Sequence, residues 1–220
     1  MMSALPNPTL ADEPLAAGLA DPVHGAQQAF RTLLRAQSYP GRVETLPGTL
    51  LAECPAGLQP ASAALLLNLL DAETSVALAL PRAEPLQRWL RFHCGVPARL
   101  PAAADFTVAD ARAAAALLLD ALPLGSDELP QQGATLLIEV EGLEALPGDA
   151  AASLTEGQVL RLRGPGIAGQ NRLAVAGLSP AFWRQRIALQ GAFPRGLELL
   201  LVCGEQLVAL PRSTRIELEG

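Results

Sequence analysis

The chain has 220 residues and not one lysine. All 16 of its basic side chains other than histidine are arginine, so no side-chain amine exists to form a Schiff base. The phosphate-binding loop that ends in Gly-Lys-Ser/Thr and the protein-kinase signature both need a lysine, and both are excluded. Neither G-x-S-x-G nor H-E-x-x-H occurs. The three cysteines, Cys54, Cys94 and Cys203, are odd in number and far apart. That spacing argues against a disulfide framework and suits a reducing cytoplasm. With His24 and His93 they show no metal-ligand spacing, so no metal site is expected. Long apolar runs are also missing. "AAAALLLDALPL" and "LELLLVCGEQLVAL" are short and broken by charge, so no membrane-spanning helix is expected. The N-terminal stretch carries acids and no basic region, which does not fit a secretory signal. Its prolines point to a flexible leader over residues 1–20, followed by one domain over 21–220.

Half of the residues are hydrophobic, enough for a sizeable core, and the net charge is −6. A basic field able to hold nucleic acid is therefore absent. The charge is unevenly spread: residues 101–160 carry ten acids and one Arg, and residues 161–220 carry eight Arg and four acids. Such an imbalance fits a surface that meets anions or a partner, and equally a solvated surface.

Local patterns give the elements. Asp21 and Pro22 open a helix over 22–38, whose Val23, Ala26, Phe30, Leu33, Leu34 and Gln37 share one apolar face. "YPG" at 39–41 stops it. A short strand at "RVETL", a buried helix over 60–71 and a strand at "TSVALAL" follow. Helices are expected over 84–95, with Gly95 as C-cap, and over the alanine-rich 109–122. "GATLLIEVEGL", 133–143, reads as a strand, and "QVLRLR" with "NRLAVAGL" as a hairpin. Ser179 and Pro180 open a helix over 179–190. "LELLLVCG" reads as a strand buried on both faces, followed by strands at "EQLVALP" and "STRIELE". The sum is an α/β fold with a mixed, partly antiparallel sheet flanked by helices. Trp89 and Trp183 fall on apolar helix faces and are expected in the core.

The hairpin encloses "RLRGPGIAGQ", which contains G-x-G-x-x-G at Gly164, Gly166 and Gly169. A dinucleotide fingerprint requires a helix directly after the glycines and an acid at the end of the next strand. Here Leu173 and Val175 alternate as in a strand, and Glu198 begins a strand instead of ending one. A glycine turn is the better reading. Arg161, Arg163 and Arg172 flank it, so Gly164 and Gly166 with these cations could still face a phosphate or phosphonate. His93 and Arg212 complete the set of candidate anion-binding residues, with His93 otherwise a helix C-terminal cap. A Cys94–His93 nucleophile is disfavoured, because adjacent helical residues point apart. Asp71, Glu73 and Thr74 read as a polar helix-to-strand connection. No catalytic residue is assigned.

Six segments, taken in order, resemble one family. They are "AFRTLLRAQSYPG", "LLLNLLDAETSVAL", "LRFHCGVP", "GATLLIEV", "LRLRGPGIA" and "FPRGLELLLVCGEQLVALPRSTRIE", and they are similar to PhnH, the H subunit of the bacterial carbon–phosphorus lyase system. The resemblance runs from about residue 21 to 218. It implies a cytoplasmic protein with a fold similar to pyridoxal-phosphate-dependent transferases but without that cofactor. It implies a homodimer in isolation and partnership with the G, I and J subunits. The implied function is that of an essential, organising subunit in organophosphonate catabolism. That assembly forms α-D-ribose 1-methylphosphonate 5-triphosphate from ATP and methylphosphonate. The alternative is a stand-alone protein or enzyme that binds a phosphonate or nucleotide. Gln37, Cys94, Pro165 and Glu198 depart from the family pattern, which has Met, Thr, a small residue and Asp there. The two departures that matter chemically, Cys94 and Glu198, put in doubt any role needing a hydroxyl or a short carboxylate.

Overall fold

The computed structural model describes residues 14–154 and 156–219. Helix α1 (Pro22–Ser38) leads to strand β1 (Glu44–Thr45), helix α2 (Pro60–Leu69), strand β2 (Val76–Ala79) and helix α3 (Ala83–Cys94). Strand β3 (Phe106–Asp110), the single turn α4 (Ala111–Ala114), β4 (Thr135–Glu139) and β5 (Gly142–Leu146) come next. Strands β6 (Gln158–Arg163) and β7 (Asn171–Ala176), helix α5 (Pro180–Ala188), and strands β8 (Glu198–Cys203), β9 (Gln206–Leu210) and β10 (Arg215–Leu218) complete the fold. Of residues 1–20, expected as a leader, those up to residue 13 lie outside the described residues.

The strands form two sheets. A six-stranded mixed sheet has the order β1-β9-β8-β4-β3-β2, with β2, β3, β4 and β8 parallel and β9 antiparallel to both of its neighbours, β8 and β1. A four-stranded antiparallel sheet has the order β10-β6-β7-β5. Alternation along the central strands fixes what covers each face. Leu137 and Leu200 join the core under α1, α2 and α3, together with Trp89. Leu136, Ile138, Leu199 and Leu201 join the core under the four-stranded sheet and α5, with Phe182 and Trp183. The molecule is thus layered as helices, mixed sheet, then antiparallel sheet with α5. Both tryptophans are buried, as their helical positions predict.

Most local signals hold. The Asp21 carboxylate accepts from the Val23 and His24 amides at the start of α1, and the Ser179 hydroxyl accepts from the Phe182 amide at the start of α5. Gly95 ends α3 in the left-handed conformation, with φ 71°. β6 and β7 pair as the expected hairpin. β8 is buried on both faces between β4 and β9. Asp71 Oδ1 accepts from the Glu73 and Thr74 amides, a self-contained turn between α2 and β2.

Three expectations fail. The helix expected over 109–122 is instead the end of β3, the single turn α4 and a 3-10 turn at Leu119–Ala121. Helix propensity loses to distant partners: the Gln185 side-chain amide donates to the Leu117 carbonyl and accepts from the Leu119 amide, which holds the break at Leu118, extended between the two turns. The strand expected over 133–143 is two strands, β4 and β5, placed in different sheets. On α1 the buried residues are Gly25, Ala29, Thr32, Leu33 and Ala36, whereas Val23, Phe30 and Leu34 are exposed. Small residues on the inner side let α1 pack closely on α2 and β9. Of the face read from the sequence, Leu33 alone is fully buried.

Candidate functional site

The glycine segment joins β6 to β7 as a tight turn, and two other loops pack against it. A Cβ on Gly166 would lie 2.1 Å from the Ser38 carbonyl oxygen and 2.9 Å from Pro40 Cδ. One on Gly164 would meet the Ser213 carbonyl oxygen at 3.0 Å. The Asn171 side-chain amide donates to the Pro40 carbonyl at 2.9 Å and completes the joint. The segment "SYPG" at the end of α1 and the glycine turn are therefore two halves of one packed contact. The side of Gly166 on which a Cβ would stand faces the Ser38 carbonyl oxygen.

The arginines around this turn have structural partners. Arg161 and Arg172 stand directly opposite each other in the β6–β7 ladder, an arrangement that like charges disfavour. Glu219 resolves it. Its carboxylate accepts from Arg172 Nε at 2.7 Å and Nη2 at 2.6 Å, and from Arg161 Nη2 at 3.2 Å. These bonds, led by Arg172, hold the Glu219 carboxyl below the usual carboxylate range. Arg172 Nη1 also donates to the Gly148 and Ala150 carbonyls. Arg163 is exposed and donates to Gln170 Oε1 at 3.2 Å.

Arg212 is held elsewhere. Its Nε donates to Glu198 Oε1, and its backbone amide to Glu198 Oε2 at 3.0 Å. Nη1 reaches the Pro130 and Pro194 carbonyls. The guanidinium thus fastens the loop after β9 to the start of β8 and to the turn before β4. The longer carboxylate at position 198, one of the departures noted in the sequence, makes this contact. Beside it Arg186 is buried, with one hydrogen bond among the described residues, from Nη2 to the Pro211 carbonyl at 3.1 Å. Burial lowers its guanidinium to about 10, with the Glu198 charge acting the other way.

His93 is on the other side of the six-stranded sheet, in the helical layer. Its Nε2 donates to the Ala16 carbonyl at 3.1 Å, alongside the Trp89 indole, which donates to the same oxygen at 2.8 Å. The imidazole packs edge-on against Trp89 and Phe92. Cys94 points instead to α2, where its Sγ lies 3.9 Å from the Leu66 carbonyl. Burial, aided by the Asp71 carboxylate, pushes the thiol up to about 11, so Cys94 is no activated nucleophile. The expected anion-binding set is therefore not one site. Arg161, Arg163, Gly164 and Gly166 share the hairpin, Arg212 is fastened to Glu198, and His93 is in a different layer. Among the described residues no cluster of three or more His, Cys, Asp or Glu side chains is placed to hold a metal ion.

Open α/β sheets bind ligands beyond the carboxyl ends of their parallel strands. Two crevices lie there. One, of about 280 Å³, is lined by Ala16, Glu53, Cys54, Arg82, Arg88 and Trp89. The other, of about 480 Å³, lies over the ends of β2 and β3, with Asp110 and Arg112 in its wall. Asp110 Oδ1 accepts from the Ala113 amide at 2.7 Å. At the end of β4, Glu139 is buried and accepts from the Gln59 amide at 2.7 Å. Burial raises its carboxyl above the usual range, against the Gln59 amide. Sequence reading missed Glu139, although one acid ending the apolar run "TLLIE" is a visible signal. It missed Glu219 as well, since nothing local couples a C-terminal acid to Arg161 and Arg172.

The scan against family models matches the bacterial phosphonate metabolism protein family, PhnH, over residues 17–217. The chain belongs to the PhnH family. A relative from Stutzerimonas stutzeri, described as a putative C-P lyase subunit protein HtxG, is 37% identical over 197 residues, covering 88% of this chain and 87% of the relative. The PhnH subunit of alpha-D-ribose 1-methylphosphonate 5-triphosphate synthase from Rhizobium meliloti (strain 1021) is 36% identical over 206 residues, covering 91% of this chain and 94% of the relative. The matched region takes in all three layers of this fold. It includes the joint between "SYPG" and the glycine turn and the Arg212–Glu198 contact.

Proposed function

We propose that this chain is a subunit of a carbon–phosphorus lyase assembly in organophosphonate catabolism. It would support formation of α-D-ribose 1-methylphosphonate 5-triphosphate from ATP and methylphosphonate as an organising component. The observation that carries this reading is the similarity to two proteins described as subunits of such systems, over about nine-tenths of the chain. The bonding of the polar residues supports the organising role: His93, Arg161, Arg172 and Arg212 all hold parts of the fold together. On this reading the chain acts in the cytoplasm with the G, I and J subunits and pairs with itself when isolated. Its fold would be akin to pyridoxal-phosphate-dependent transferases, but with no lysine it offers no side chain for that cofactor's aldimine.

Co-expression with the G, I and J subunits tests the proposal. A stable complex that includes this chain is expected, together with restored growth on methylphosphonate in a strain lacking the H subunit. Absence of both results refutes it. Calorimetry of the isolated chain against ATP and methylphosphonate should give no binding heat, and saturable binding with adenine release would favour a stand-alone enzyme.

A further inference from the structure

The described chain begins at Pro14, and Pro14 stands in the wall of the crevice of about 280 Å³. The residues that follow are fastened beside it. The Ala16 carbonyl accepts from the Trp89 indole and from His93 Nε2. The Ala17 amide donates to Glu53 Oε2 at 3.3 Å, and the Gly18 carbonyl accepts from the Ala52 amide at 2.9 Å. Leu19 and Leu51 form an antiparallel bridge. Followed back from α1, the backbone is thus led to the crevice and joins its wall at Pro14. Covalent geometry limits where the preceding residues can be. The Glu13 Cα is about 3.8 Å from that of Pro14, and the Asp12 Cα at most about 7 Å away. Residues 10–13 read Leu-Ala-Asp-Glu, so two carboxylates are delivered to the mouth of the crevice. The wall they meet is of the opposite sign. It carries Arg82, at the start of α3, and Arg88 within α3. The acid in the wall, Glu53, is turned to the Ala17 amide.

We infer that this crevice is the docking site of the chain's own residues 10–13, with the Asp12 and Glu13 carboxylates against Arg82 and Arg88. An exposed ion pair between separate molecules contributes little. Here the acids are tethered to the wall through Pro14, and a short tether gives a high effective concentration, so modest pairs are enough to hold the segment. The position gives the contact a consequence. The crevice is one of the two beyond the carboxyl ends of the parallel strands, where open α/β sheets take ligands. Residues 10–13 occupy that place, and an outside anion reaches Arg82 and Arg88 only by displacing them. The inference concerns the isolated chain and stands apart from the proposed function.

Hydrogen exchange of the full-length chain, followed by mass spectrometry on its N-terminal peptides, tests this. In the wild type the amides of residues 10–13 should exchange at least about tenfold more slowly than in Asp12→Asn/Glu13→Gln. Salt at about 1 M, which screens charges beyond roughly 3 Å, should remove most of the difference. The Ala17 and Ala20 amides, bonded to Glu53 and to the Leu50 carbonyl, should behave alike in both proteins and serve as internal reference. Arg82→Glu/Arg88→Glu should lose the protection as well, and joining it to Asp12→Arg/Glu13→Arg should restore it. Inorganic phosphate should raise Tm more in Asp12→Asn/Glu13→Gln than in the wild type. Equal exchange in the wild type and Asp12→Asn/Glu13→Gln overturns the inference, and that comparison decides even where Arg82→Glu/Arg88→Glu lowers Tm. Protection that grows with protein concentration gives the crevice to residues 10–13 of a second copy and overturns it too. A Tm rise with phosphate that is equal in the two proteins means a crevice open to outside anions, which also overturns it.

Discussion

Replacing Gly166 by alanine separates a structural turn from an anion-binding loop. Gly166 has φ 80°, and the missing Cβ would lie 2.1 Å from the Ser38 carbonyl oxygen. Gly169, in the same loop, has φ 82° and nothing within 4 Å of its Cβ position. The two substitutions share the cost of a left-handed alanine, roughly 1–2 kcal/mol. Only Gly166→Ala must also push the glycine turn away from Ser38 and Pro40. That movement breaks the 2.9 Å bond from Asn171 to the Pro40 carbonyl, worth about 1 kcal/mol, and loosens packing around it. The expected losses are about 3–4 kcal/mol for Gly166→Ala against about 1–2 for Gly169→Ala. At about 2–4 °C per kcal/mol for a chain of this size, the two should differ in Tm by several degrees. Urea denaturation followed by circular dichroism measures both variants directly. Equal destabilisation would refute the packing argument. An unchanged Tm for Gly166→Ala, with growth on methylphosphonate lost, would return the turn to an anion-binding role.

The Glu219 carboxyl is held below its ordinary 4.5, so its stabilising contribution is complete above 4.5 and disappears as pH falls through the lower folded value. Glu219→Gln should remove that acid-sensitive component and lower Tm at neutral pH, as a Tm-against-pH series would show. Arg212→Met breaks a partly buried pair and frees the Pro130 carbonyl, so a loss of about 1–3 kcal/mol is expected in urea titrations. Arg186→Met removes a buried cation that has a single hydrogen bond among the described residues, and should be neutral or stabilising in the same assay. The Cys94 thiol, pushed up to about 11, should be alkylated by iodoacetamide far more slowly than the exposed Cys54, with mass spectrometry following each site.

Some features needed only the sequence, because their causes are local or compositional. The absence of lysine removed whole classes of chemistry. Asp21 with Pro22 and Ser179 with Pro180 fixed two helix starts, because a cap bonds amides two or three residues away. The alternation in "QVLRLR" and "NRLAVA" fixed a hairpin. The tertiary structure decided what depends on distant partners. Residues 109–122 have high helix propensity, yet Gln185, 66 residues beyond Leu119, holds part of them extended. The i, i+3, i+4 spacing on α1 identified an apolar row, but not that a row of small residues would be the one to meet the core. The arginines were legible as cations. Whether each faced a ligand or a protein carboxylate was set by Glu219 and Glu198, which only the folded chain brings to Arg172 and Arg212. Periodicity reports which side chains share a face. Which face is buried, and which charge is neutralised, follows from residues far away in sequence that fold against it.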